Sequence, residues 1–123
     1  MKSIKLKFPE VLLIEPQIFK DKRGFFYESF NQDKFEKMTG KKVTFVQDNY
    51  SKSNKNTLRG MHYQIPPMAQ GKLVSVLQGQ IFDVVVDLRK PSKTFGDFLC
   101  QELDAVSKQQ LWIPEGFAHG FLV

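Results

Sequence analysis

Apolar residues in this chain come in short bursts separated by turn-forming residues, which is the pattern of short strands, and only one segment has helical character. Residues 11–19 (VLLIEPQIF) predict a strand interrupted at Pro16, since proline donates nothing to a ladder and belongs at an edge or a bend. Asp21-Lys22-Arg23-Gly24 supplies a turn in which Gly24 can take positive φ, and residues 25–30 return as a strand. One segment, 31–39, has helical character: Asn31 suits the N-cap, Phe35 and Met38 share a face, and Gly40 suits the C′ position. Residues 43–51 (VTFVQDNYS) alternate cleanly and predict a further strand with Val43, Phe45, Gln47, Asn49 and Ser51 on one side. Apolar side chains give way to amides along that side, which fits a sheet face running from core into a polar cavity and equally fits a solvent-exposed strand end.

After the polar stretch 52–56, the segments TLRGMHYQ, KLVSVLQG, IFDVVVDL, TFGDFLCQEL and QQLWIPEGFAHGFLV continue as strands joined at Gly and Pro. Seven or eight strands with one short N-terminal helix predict an all-β protein, a sandwich or small barrel of jelly-roll type. The sequence stops in strand-like FLV, without a turn or polar tail, which predicts that a covering strand is missing.

A length of 123 residues holds one such domain, spanning 1–123. No stretch approaches the roughly 18 to 20 apolar residues that span a bilayer, and MKSIKLKFPEV lacks the apolar run of a secretory signal, so the expectation is a cytoplasmic protein with no membrane partner. Cys100 is the only cysteine, so the fold rests on burial rather than an internal disulfide. Residues 1–61 carry 13 Lys/Arg against 7 Asp/Glu, and residues 62–123 carry 5 against 6, which places the basic excess in the N-terminal half. Fifteen of the cations are scattered lysines, a solvated surface rather than the arginine cluster of a nucleic-acid site, so no nucleic-acid partner is expected. The few arginines point to something smaller: Arg23 and Arg59 suit a phosphorylated ligand, which a guanidinium fork grips bidentately.

Candidate chemistry gathers around His62 and His119, the only two histidines, with Arg59 and Lys72 near in sequence to the first. Pro114-x-Gly116-x-x-His119 resembles the second motif of the cupins, double-sheet jelly rolls with an interior active site. Metal-binding cupins carry His-x-His and a Glu in the first motif, whereas here the corresponding place reads His62-Tyr63-Gln64. Two imidazoles beside a lysine ammonium make a poor divalent-cation site, so no catalytic metal is predicted. What remains is a general base with fixed positive charge, suited to abstracting a proton α to a carbonyl.

Arg59 and His62 have odd spacing and fall on opposite faces of a regular strand; a bulge or bend at Gly60 brings them together, and the alternative leaves His62 inward and Arg59 solvated. Asp83 and Asp87 share a face of IFDVVVD. Either Asp83 orients Lys72, His62 or an arginine, or that face is exposed and Phe82, Val84 and Val86 form the packed side. Trp112 and Ile113 read as core.

The segments FKDKRGFFYESF, FVQDNYSKSNKNTLRGMHYQ, QGKLVSVLQGQIFDVVVDLRKPSKTFG and LWIPEGFAHGFLV, in this order and spacing, resemble the dTDP-4-dehydrorhamnose 3,5-epimerase family of cupins from about Ile14 to Val123. The resemblance implies epimerisation of a dTDP-4-keto-6-deoxyhexose without a cofactor. It makes His62 the base that removes the C3 and C5 protons and Lys72 the holder of the C4 oxygen; Asp83, singled out above by the pattern of its strand and not by the resemblance, joins them as a candidate catalytic residue. It further implies that Arg59 and His119 contact substrate and phosphate, that Gln47, Asp48 and Asn49 lie on a ligand-binding strand, and that Arg23, Phe26 and Glu28 reach the nucleotide of a neighbouring subunit in a homodimer. Family members continue for about another third, and the resemblance assigns to that region the tyrosine acting as general acid and the aspartate orienting the base.

Overall fold

The computed structural model describes all residues, 1–123. It contains ten strands and one helix: β1 (Lys2–Lys5), β2 (Leu12–Glu15), β3 (Ile18–Asp21), β4 (Gly24–Tyr27), α1 (Gln32–Thr39), β5 (Leu58–His62), β6 (Lys72–Ser75), β7 (Gln80–Asp87), β8 (Phe98–Asp104), β9 (Gln110–Ile113) and β10 (Phe117–Leu122). The excess over the expected seven or eight has local causes. Pro16 splits residues 11–19 into β2 and β3, and Pro114-Glu115-Gly116 splits the last segment into β9 and β10. β1, whose KSIK carries no clear alternation, forms as a partner for β2, Lys2 opposite Glu15 and Lys5 opposite Leu12.

Two four-stranded antiparallel sheets, ordered β1-β2-β9-β6 and β5-β10-β7-β8, enclose the core. Leu13, Leu111 and Ile113 of the first sheet meet Val85, Leu99, Leu103 and Phe117 of the second in one buried cluster. On the outer face of the first sheet, Leu12, Ile14 and Trp112 lie beneath α1, where Phe35 packs edge-on against the Trp112 ring with centroids 4.9 Å apart. The helix is bounded as the sequence predicts: Asn31 Oδ1 accepts the Lys34 N–H at 3.1 Å, and Gly40 takes φ +67° while its N–H bonds the Glu36 carbonyl.

Two expectations are corrected. Residues 43–51 form no strand: Val43 and Phe45 pack on the Trp112 cluster as the alternation implies, but the backbone from Val46 onward finds no ladder partner, and alternation alone cannot supply one. The faces of β7 are also reversed from one of the readings above. Asp83, Val85 and Asp87 point into the core, fully buried, while Phe82, Val84 and Val86 lie on the outer side, Phe82 being exposed.

The inward carboxylates are tolerated because they are bonded, and Asp87 thoroughly so. It accepts from the backbone and side chain of Arg89, from Ser92 Oγ at 2.6 Å and from Thr94 Oγ1. Arg89 also binds Glu10 and stacks on the Phe117 ring at 4.5 Å, so this network closes one end of the sandwich. The guanidinium beside it, aided by the two hydroxyls, holds the Asp87 carboxyl far below the usual carboxylate range.

Candidate active site

The pairing of β10 with β5 decides which side chains meet. His119 stands opposite His62 and Phe121 opposite Arg59, so two steps along β10 match three along β5. The extra residue is a bulge at Gly60-Met61, as the sequence predicts, and it puts Arg59 and His62 on the same face. That face is the inner one, because His119 and Phe121 also stand opposite Val85 and Asp83 of β7. Gly60 is required for a steric reason: its φ is +127°, and a Cβ there would fall 2.5 Å from the Gly120 Cα across the ladder.

His119 is buried and bonds Asp83 across β10 and β7, Nε2 to Oδ2 at 2.7 Å. With Asp83 ionised, the carboxylate only accepts, and the bond calls for the tautomer with its proton on Nε2. The alternatives drawn from sequence did not include this partner: Asp83 is neither exposed nor bonded to His62, Lys72 or an arginine. Burial pushes the Asp83 carboxyl above its ordinary range, and the bond from His119, then the charges of His119 and Lys72, pull it back.

Lys72 comes from the other sheet. It pairs with Ile113, an inner-face residue of β9, and so shares the inner side with Val74. Its neighbour Gly71 lies flat against the Trp112 indole, where a Cβ would come within 2.4 Å of the ring, so the backbone that presents Lys72 is seated on the packed outer cluster. Trp112 and Ile113 are both core, on opposite faces of β9.

The mouth of the site is open. His62 is exposed and makes no side-chain hydrogen bond, and Arg59 is exposed with its Nε donated to Ser53 Oγ at 2.8 Å. Sequence reasoning missed Ser53 and also Phe121, whose ring lies 5.9 Å from the His119 ring on the same face. Both could be found only once the register of β5 against β10 was known.

The remaining candidates stand apart from this cluster. Gln47, Asp48 and Asn49 are exposed on the extended segment, Gln47 Nε2 donating to Asn49 Oδ1 at 3.2 Å, and no hydrogen bond joins them to the inner face. Glu28 sits before α1, accepting from Lys34 Nζ at 2.7 Å and from Asn31, and the Lys34 bond holds its carboxyl below the ordinary range. Arg23 and Phe26 belong to the β3–β4 hairpin, a two-stranded sheet of its own, where Arg23 pairs with Asp21 and the Phe26 ring is exposed. No three His, Cys, Asp or Glu side chains converge as a metal-ligand set, and no helix is long and apolar enough to cross a membrane.

Known proteins share this fold. The chain is 60% identical over 123 residues to the dTDP-4-dehydrorhamnose 3,5-epimerase of Shigella flexneri, all of this chain against 68% of that protein. The crystal structure of dTDP-4-dehydrorhamnose 3,5-epimerase from Elizabethkingia anophelis superposes with a TM-score of 0.95 at 51% identity, over 100% of this chain and 67% of that one. A dTDP-6-deoxy-D-glucose-3,5-epimerase from Legionella pneumophila, solved in complex with dTDP-4-keto-L-rhamnose, gives 0.95 at 52% identity over 99% of this chain and 64% of that one. The chain thus spans about two thirds of the length of these relatives, and the jelly roll it forms is theirs. Residues 5–123 match the family described as dTDP-4-dehydrorhamnose 3,5-epimerase, and the chain belongs to that family.

Proposed function

We propose that this protein epimerises dTDP-4-dehydro-6-deoxy-D-glucose at C3 and C5 to dTDP-4-dehydro-L-rhamnose, through an enolate and without a metal or other cofactor. The observation that carries the reading is the β5 bulge, which gathers Arg59, His62 and His119 on one inner face with Lys72 on the inner face of the opposing sheet, in a chain of this family. The 4-keto group acidifies both neighbouring carbons. His62 takes the proton from C3 or C5, the electron pair moves onto the C4 oxygen, and the Lys72 ammonium stabilises the charge that develops there. The electron pair then returns from the C4 oxygen to the carbon, which takes a solvent-derived proton on the opposite face and is thereby inverted, while His62 releases its proton to solvent. Arg59 and His119 hold the diphosphate end of the substrate, and Gln47, Asp48 and Asn49 bind along the open side.

The β3–β4 hairpin supports a homodimer in which Arg23 and Phe26, with Glu28 behind them, serve the partner's nucleotide: Phe19, Phe25 and Phe26 are exposed on a two-stranded element bonded to neither large sheet. A nucleotide-sugar substrate supports a cytoplasmic enzyme.

The test is NMR of dTDP-4-keto-6-deoxyglucose with the protein in D2O. Loss of the C3 and C5 proton signals is expected, and His62→Ala should slow it by about 10²- to 10⁴-fold while nucleotide binding persists. Loss at one carbon only would make it a mono-epimerase. The exposed, unbonded His62 favours one other reading, a nucleotide-sugar-binding cupin without turnover; line broadening of the ligand with no exchange would establish that instead.

A further inference from the structure

Asp83 lacks a partner on one side. Its Oδ2 takes the His119 bond, while Oδ1 is buried with no hydrogen bond at all. Buried carboxylate oxygens are nearly always satisfied, so an orphan on the inner face of a candidate site marks an oxygen that meets a donor there. The surroundings narrow the choice. Gln101, directly opposite on β8, donates its amide to the Glu102 carbonyl at 2.9 Å. Asp87, further along the same face of β7, is itself an acceptor, saturated by Arg89, Ser92 and Thr94. On β5, Arg59 is engaged by Ser53, and His62 stands on the far side of His119 from β7. Lys72, half-buried on the facing sheet, is in no ion pair, and its charge acts on Asp83.

We propose that Asp83 is the positioning residue of the site, fixing His119 through Oδ2 and drawing the Lys72 ammonium inward to Oδ1, so that one buried carboxylate sets both side chains. The inference rests on the epimerase reading and deepens it. A lysine with an apolar stem and no partner carries its ammonium out to water. A buried negative charge on the facing sheet holds it in, where an enolate oxygen can meet it without reorganisation.

Asp83→Asn separates the two roles, because the asparagine oxygen still accepts from His119 but carries no charge to retain Lys72. Expected are an exchange rate at C3 and C5 at least tenfold lower, a dTDP affinity changed less than threefold, and a melting temperature at pH 7 that does not fall. A lower melting temperature with parallel loss of dTDP binding would overturn the proposal in favour of a structural role. A second readout needs no substrate: the carboxyl ¹³C titration of Asp83 in the wild type and in Lys72→Met. Removing the ammonium should raise the Asp83 midpoint by about one pH unit, tenfold in proton affinity. An unmoved midpoint overturns the Lys72 contact. Should the wild type exchange neither proton, the epimerase reading fails, and this titration alone decides whether Asp83 and Lys72 are coupled.

Discussion

The close approach of Gly60 and Gly120 is where fold and site are most tightly joined, and Gly60→Ala tests it. A Cβ at Gly60 would meet the Gly120 Cα at 2.5 Å and the His119 carbonyl oxygen at 3.0 Å, both backbone atoms of β10. A side chain at φ +127° adds strain of about 1–2 kcal/mol, and forcing the two strands apart adds about 1–3 kcal/mol, giving roughly 3 kcal/mol together. For a chain of 123 residues, at about 2.1 cal/mol/K of unfolding entropy per residue, that lowers the melting temperature by about 12 °C. Gly40→Ala is the internal control. Its φ is also positive, at +67°, but nothing lies within 4 Å of the added carbon, so the strain alone, about 1 kcal/mol, lowers melting by about 4 °C. Thermal unfolding by circular dichroism measures both, and a dTDP titration well below the transition should find Gly60→Ala weakened, since Arg59 moves with the bulge. Equal melting temperatures for the two variants would refute the close approach, and unchanged dTDP affinity would refute its role in aligning Arg59 with His62.

Three further outcomes follow from the packing and the buried charges. Asp87→Asn should lower stability at pH 7 by about 3 kcal/mol in urea denaturation, because it removes the buried carboxylate that Arg89, Ser92 and Thr94 all bind and leaves Arg89 only its bond to the half-exposed Glu10. With its carboxyl held below the ordinary range, Asp87 contributes stability that is complete above the unfolded pKa of about 3.9 and is lost as pH falls below it, so the variant should show a shallower acid limb. Asp83 has the opposite sign: burial raises it, so its charge costs stability as pH rises above about 3.9, and any advantage of Asp83→Asn should grow in that direction. Phe35→Ala should cost about 3–5 kcal/mol and shift the emission of Trp112, the only tryptophan, to longer wavelength as α1 loosens from the outer sheet face.

Local chemistry made much of this fold legible. The α1 boundaries follow from an amide that caps and a glycine that takes positive φ, both settled within a few residues. The Gly60 bulge was legible for the same reason, since odd spacing between two polar residues with a glycine between them has few geometric solutions. Segment 43–51 failed where locality ends. Its alternation sorted Val43 and Phe45 onto the packed side correctly, yet a strand is a relation between two backbones, and nothing in VTFVQDNYS says whether another is within reach.

The same limit explains the site. The family resemblance named His62, Lys72 and His119 from motifs, but the partner of Asp83 lies 36 residues away and depends on the register of β10 against β7. A shift of one residue there would turn His119 outward and leave Asp83 buried alone, a cost large enough to specify the register by itself. The alternation of IFDVVVD leaves two faces open to the core, one with Asp83 and Asp87 and one with Phe82, Val84 and Val86, and the sequence alone does not choose between them. Here the sheet carries apolar residues on both sides, so hydrophobicity does not discriminate, and the bonds available to Asp83 and Asp87 choose instead: His119 for one, Arg89 with Ser92 and Thr94 for the other. Polar residues buried at a site therefore act twice, setting the strand register that builds the cavity and supplying the charges that line it.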